Sequence, residues 1–152
     1  MPNTFTQIYI QVVFAVRGRQ NLLRKEFREE VFKYIGGIAR NPDQKLIIIN
    51  GMADHIHMLI RYRPATALSD LIRDVKAGSS RFINEKRWIR GRFEWQEGYG
   101  GFSYSQSDLD RIIAYIRNRE QHHARYTFRE EYLELLKEFK IEYKSEFLFE
   151  WI

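Results

Sequence analysis

The chain has 152 residues, 44% of them hydrophobic and 15% aromatic, which fits one domain with a sizeable core and excludes a linker or a disordered tail. It has no cysteine, so a disulfide framework and a thiolate zinc site are both excluded, and any metal must be held by nitrogen and oxygen ligands. The net charge is +5, no apolar run reaches membrane-spanning length, and the start "MPNTFTQIYIQ" lacks the basic-then-apolar pattern of a signal peptide, so a cytoplasmic protein without a membrane partner is expected.

In chain order, residues 6–16, "TQIYIQVVFAV", are rich in β-branched and aromatic types and predict a strand. Over residues 24–40, Phe27, Val31, Ile35 and Ile38 recur at helical spacing, and Asn41-Pro42 ends the run. "KLIIIN" at 45–50 and "HIHMLIRY" at 55–62 are short apolar runs around Gly51 and predict a hairpin. Leu68, Leu71, Ile72, Val75, Phe82 and Ile83 mark a second amphipathic helix over 67–85, with Thr66 as its cap. A strand near 102–105 and a helix over about 108–123 follow. In that last helix Ser107 and Asp110 resemble a capping box. The order β-α-β-β-α-β predicts an α+β fold, the ferredoxin-like split βαβ sandwich, with helices on one face of an antiparallel sheet and one helix appended. A single domain is expected, with its core over about 5–106 and the appended helix and C-terminal extension over about 107–152.

Charge is unevenly spread. Residues 61–92 carry nine Lys/Arg against three Asp/Glu, whereas residues 126–152 carry four against seven. The basic stretch interleaves cations with aromatics in "RFINEKRWIRGRFEW", which suits a surface that neutralises phosphates and stacks bases. Arg73, Lys76, Arg81, Lys86, Arg87, Arg90 and Arg92 are the candidate nucleic-acid contacts. An ordinary solvated helix face carries the same signal.

Two of the four histidines, His55 and His57, sit one residue apart in "NGMADHIHMLIRY". On a strand, alternate side chains share a face, so both imidazoles point one way while Ile56 and Met58 point the other. Such a pair can chelate one divalent ion, grip one phosphate, or sit hydrogen-bonded in the core. In "SQSDLDRIIAYIRNREQHH", Leu109, Ile112, Ile113 and Ile116 form an apolar side, while Tyr115 shares a polar face with Arg111, Asn118, Arg119 and His122. A phenol with a pKa of ~10 can attack phosphorus when a base or cations assist it. A tyrosine packed between helix and sheet fits the same spacing.

Together "VVFAVRGRQNLL", "NGMADHIHMLI", "KAGSSRFIN", "FEWQEGYGGFSYSQS" and "YIRNREQHH" resemble one family over nearly the whole chain. This family is the single-tyrosine transposases of the HUH endonuclease superfamily, which move bacterial insertion sequences as single-stranded DNA. The resemblance implies that His55, Ile56 and His57 are the HUH motif and hold a divalent metal ion, Mg²⁺ or Mn²⁺. It implies that Tyr115 attacks DNA to leave a 5′-phosphotyrosine and a free 3′-OH, and that another 3′-OH then rejoins the strand. No nucleotide cofactor is expected, in keeping with the lack of a G-x-x-x-x-G-K-[ST] loop.

The family commonly places a glutamine ligand four residues after the tyrosine, ahead of a histidine pair. Here "HH" at 122–123 sets Arg119 at that position, and arginine cannot coordinate a cation. Gln121 falls on the wrong side of the helix, which leaves Asn118, water or a DNA phosphate to complete the sphere, or a degraded site. The implied partners are single-stranded DNA with hairpin ends and a second copy of the chain. Excision requires two tyrosines, and the first strand, long, apolar and free of proline, is the expected edge for pairing. Two other functions fit the residues: a domesticated relative that binds hairpin DNA without cutting, and a generic ferredoxin-like nucleic-acid-binding domain.

Overall fold

The structure is a computed structural model and describes residues 3–40, 44–118 and 127–143. Its elements are β1 (Ile8–Ala15), α1 (Lys25–Arg40), β2 (Lys45–Gly51), β3 (His55–Tyr62), α2 (Leu68–Lys86), β4 (Gly100–Tyr104), α3 (Leu109–Arg117) and α4 (Phe128–Glu138). The four strands form one antiparallel sheet in the order β2-β3-β1-β4, the split βαβ arrangement that the element order predicts.

One expectation is overturned by this order. β1 is hydrogen-bonded to β3 on one side and β4 on the other, so it is central and cannot be the edge that meets a second copy. Its apolar, proline-free character has a different cause: a strand buried on both faces needs no polar alternation. The open edges belong to β2 and β4.

One face of the sheet presents Val12, Phe14, Ile56, Met58 and Ile60 to α1 and α2, and with Phe27, Val31, Ile35, Leu71, Ile72 and Val75 these form the main core. The opposite face presents Gln11, Val13 and Ala15 from β1 directly across from Leu59, His57 and His55 of β3. α3 packs Ile112 and Ile116 on Leu59. α4 packs Phe128, Tyr132, Leu135 and Leu136 on Val13, Ala15 and Phe102. An isolated helix of α4's length is marginal in water, so this packing holds it.

Local signals set the ends of these elements. Thr66 does not cap α2; the cap position is Ala67, with no side-chain bond. Ahead of α3, Ser105 Oγ donates to Asp108 Oδ2 at 3.2 Å and a 3-10 turn spans Gln106–Asp108, so this polar pair lies two residues before the expected Ser107/Asp110 box. α3 is described to Arg117, and the rest of the expected helix lies outside the described residues. α4 was not expected at all. Thr127 caps it by accepting from the Glu130 backbone N–H at 3.2 Å, the T-x-x-E signature of a helix start.

Two glycines allow close approaches. A Cβ on Gly51 would lie 2.3 Å from the His55 carbonyl oxygen, so the β2–β3 hairpin closes only around a glycine. A Cβ on Gly100 would lie 2.7 Å from the Tyr132 hydroxyl, where α4 crosses β4. Among the described residues no helix is long and apolar enough to cross a membrane.

Candidate metal centre and nucleic-acid interface

The alternation of β3 puts His55 and His57 side by side on the face away from α1 and α2, with both side chains fully buried. α4 then lowers Glu131 onto them. Glu131 Oε1 lies 2.8 Å from His57 Nε2 and 3.9 Å from His55 Nε2, and ligand atoms of the three residues all fall within 4.8 Å of one another. Phe128, one turn earlier on α4, stacks on the His55 ring at 3.9 Å and 11°. The trio is the only such cluster among the described residues.

Each imidazole is held from behind. His55 Nδ1 lies 2.7 Å from Asp54 Oδ1. Burial pushes the His55 pKa down to about 3, against the opposing pull of Asp54, so the ring is neutral at pH 7. Its contact with Asp54 is therefore an N–H···carboxylate hydrogen bond, which leaves the Nε2 lone pair directed into the cluster. His57 Nδ1 lies 2.7 Å from Gln11 Oε1, and Gln11 Nε2 donates to the Tyr104 hydroxyl at 2.8 Å.

The donor set fits a divalent ion. Two imidazoles and the Glu131 carboxylate converge on one point, with His57 Nε2 2.8 Å from Glu131 Oε1 and the ligand atoms of all three residues within 4.8 Å of one another. Two imidazoles and one carboxylate suit Mn²⁺ and later first-row ions better than Mg²⁺, which favours oxygen ligands.

Tyr115 stands beside this cluster. α3 brings its half-buried ring edge-on to His57, with the centroids 6.0 Å apart. The C-terminal end of α3 is tied to β2 by Asn50, whose Nδ2 donates to the Ile116 and Arg117 carbonyls at 3.0 and 3.1 Å. Asn118 follows as the exposed helix C-cap, and Arg119 lies outside the described residues. Glu131, absent from the expected set, was readable from "TFREEYLELLKEF". Its T-x-x-E cap and the apolar spacing of Phe128, Tyr132, Leu135, Leu136 and Phe139 mark a helix whose buried stripe includes position 131.

The basic residues lie in the other layer. Arg73, Lys76 and Arg92 line a groove between α2 and residues 92–99, and Arg81, Arg87 and Arg92 line a second that shares Ala77, Ser80 and Arg92 with the first. Lys86 and Arg90 line neither. Lys76 turns inward: its ammonium donates to the Gln96 and Gly98 carbonyls at 2.8 and 2.6 Å, and burial lowers its pKa to about 8. Arg73 pairs with Asp70 and Asp74, and Arg92 with Glu94, all on the exposed surface.

A ferredoxin-like sheet with paired strand histidines and a helix-borne tyrosine defines the class of single-tyrosine HUH proteins. The chain belongs to the IS200-like transposase family, whose model matches residues 4–119. It is similar to the ISDra2 transposase TnpA of Deinococcus radiodurans, at 24% identity over 120 residues, 74% of this chain and 84% of that protein. Among solved structures it is similar to a candidate transposase from Deinococcus radiodurans R1, with a TM-score of 0.62, 20% identity, and 76% and 93% of the two chains covered. It is also similar to a REP-associated tyrosine transposase bound to a REP hairpin, with a TM-score of 0.61, 13% identity, and 80% and 72% covered.

Proposed function

We propose that this transposase cleaves and rejoins single-stranded DNA through a 5′-phosphotyrosine on Tyr115, with a divalent ion held by His55, His57 and Glu131. The observation that carries the reading is the juxtaposition in one chain of Tyr115 with His57, 6.0 Å between ring centroids, and of His57 with Glu131 at 2.8 Å. A bound ion there would act as a Lewis acid on a non-bridging phosphate oxygen, adding charge stabilisation to the transition state. Asp54 and Gln11 hold the two imidazoles, and α3 presents the phenol from the same side of the sheet.

In the transfer itself, the Tyr115 oxygen forms a bond to phosphorus, the phenol loses its proton to a base, and the phosphorus–O3′ bond breaks. The leaving 3′ oxygen takes up a proton. Phosphodiester energy is retained in the tyrosyl ester, so a second 3′-OH can reverse the step without nucleotide hydrolysis. The partner class is DNA with hairpin ends, a reading supported by the REP hairpin held by the similar tyrosine transposase. The grooves along α2 are the proposed track for its phosphates.

A second reading has its own support. Both histidines are fully buried, with Phe128 stacked on His55, so the Phe128 ring must move aside before a phosphate can reach them. A chain that keeps Phe128 seated would bind hairpin DNA without cutting it. One experiment separates the two: incubation with labelled single-stranded DNA from its own element and Mn²⁺, followed by denaturing electrophoresis. A covalent adduct supports cleavage; tight binding with no adduct at any metal concentration supports the second reading.

A further inference from the structure

We infer that Gln11 is a positioning residue for His57, and that its side-chain amide sets which ring nitrogen is offered to the metal. The inference rests on the proposed role of His57 as a ligand. Gln11 lies on β1, the neighbouring strand, and is fully buried on the same face as the histidines. Its Oε1 is 2.7 Å from His57 Nδ1, and its Nε2 donates to the Tyr104 hydroxyl at 2.8 Å. An amide has one acceptor end and one donor end, and Tyr104 takes the donor end. The acceptor end faces His57 Nδ1, and an Nδ1–H there directs the Nε2 lone pair toward Glu131.

The two ligands are held differently. Asp54 adjoins His55 in sequence and offers it a carboxylate, whereas His57 receives a neutral amide from another strand whose orientation depends on a third. A carboxylate imposes the Nδ1–H form whichever of its oxygens faces the ring. An amide does so only in one of its two orientations, the one with Nε2 on the Tyr104 hydroxyl and Oε1 on His57. The His57 half of the site therefore depends on a chain of three side chains drawn from β3, β1 and β4.

The test uses full-length protein. Gln11→Met keeps the volume and removes the acceptor, Gln11→Glu restores an acceptor at the same reach, and Tyr104→Phe removes the hydroxyl that holds the amide Nε2. Mn²⁺ affinity is measured by calorimetry, and the His57 Nδ1–H proton is followed by NMR in the Zn²⁺-loaded protein. Gln11→Met should weaken Mn²⁺ binding by about 10- to 100-fold, the usual effect of losing a partner behind a metal ligand. It should also abolish the protected Nδ1–H signal, and Gln11→Glu should recover both. Tyr104→Phe should shift both in the same direction by less, and it carries the test alone if Gln11→Met does not fold. Unchanged affinity and an unchanged signal in Gln11→Met, or in Tyr104→Phe where only that variant folds, overturn the inference. A wild-type chain that takes up no Mn²⁺ instead overturns the ligand reading on which it rests.

Discussion

His57 Nε2 and Glu131 Oε1 lie 2.8 Å apart although 74 residues separate them in the chain. The contact joins a strand to a helix far downstream and supplies a carboxylate to a site whose expected third position, Arg119, offers a cation. If Glu131 is the third ligand, Glu131→Met should weaken Mn²⁺ binding at least as much as loss of an outer partner does, about 10-fold or more. It should also leave the sheet folded, since the volume is kept. Calorimetric titration beside a thermal melt checks both, and undiminished affinity would return Glu131 to the role of a buried partner of His57.

Phe128 stacks on His55 from the same helix that carries Glu131, so α4 covers the histidine pair. Phe→Ala in a packed core costs about 3–5 kcal/mol, and a helix this short is held by its packing. Phe128→Ala should therefore speed hydrogen exchange of α4 amides while those of β1 and β3 stay protected. At saturating Mn²⁺ it should also form the covalent DNA adduct faster than the parent chain. Slower adduct formation, with α4 shown to be released, would mean that the helix assists the reaction and does not obstruct it.

Periodicity exposes the sandwich because period-two and period-3.6 patterns are local properties. The histidine pair was legible for the same reason: once "HIHMLIRY" is a strand, His55 and His57 must share a face. What no local pattern supplies is order within the sheet. The hydrophobicity of β1 reads equally as an exposed edge or a buried centre, and only its pairing with both β3 and β4 decides. Glu131 was legible in the helix pattern but not in the composition around it. In a stretch with seven acidic residues it reads as one more solvated charge, although the cap at Thr127 and the apolar stripe put it on the buried side of α4. Gln11, polar in the middle of an apolar strand, was the sequence's hint that the face toward His57 is not ordinary core.

The groove along α2 makes an ordered prediction about salt. Each lost phosphate contact to single-stranded DNA should reduce the slope of log affinity against log salt by about 0.7. Arg81→Ala and Arg87→Ala, which line the groove, should each show it, while Lys86→Ala and Arg90→Ala should show less. Equal effects at all four positions would point to a diffuse field around α2 in place of a track.

Lys76 gives a prediction in pH. Its folded pKa is lowered to about 8 from 10.5, mainly by burial, so between these values the unfolded chain holds a proton that the folded chain has released. Stability then rises with pH across that window, and below about pH 8 the buried charge weighs against folding. Lys76→Met should remove this component. Urea unfolding at pH 7.5 and pH 10 should show the parent chain gaining stability relative to the variant at the higher pH. A constant difference at the two values would show that the ammonium is not held in a desolvated setting.

Whether the tyrosine serves its own histidines or a partner's is open to a mixing experiment, and the geometry within one chain favours its own. Tyr115 lies edge-on to His57, and Asn50 binds the C-terminal end of α3 to β2 of the same chain. Serving a partner would require both hydrogen bonds of Asn50 to break and α3 to leave the apolar seat of Ile112 and Ile116 against Leu59. Tyr115→Phe alone should abolish the covalent adduct while leaving DNA affinity unchanged, because only the attacking oxygen is removed. His57→Ala alone should abolish it by loss of a proposed metal ligand. If attack is in cis, mixing the two variants restores nothing, whatever dimers form, since each chain lacks one half of its own site. If attack is in trans, mixed dimers regain one complete site and the adduct reappears, carried by the His57→Ala chain. Recovery of adduct on that chain would therefore show that α3 leaves its seat when DNA is engaged.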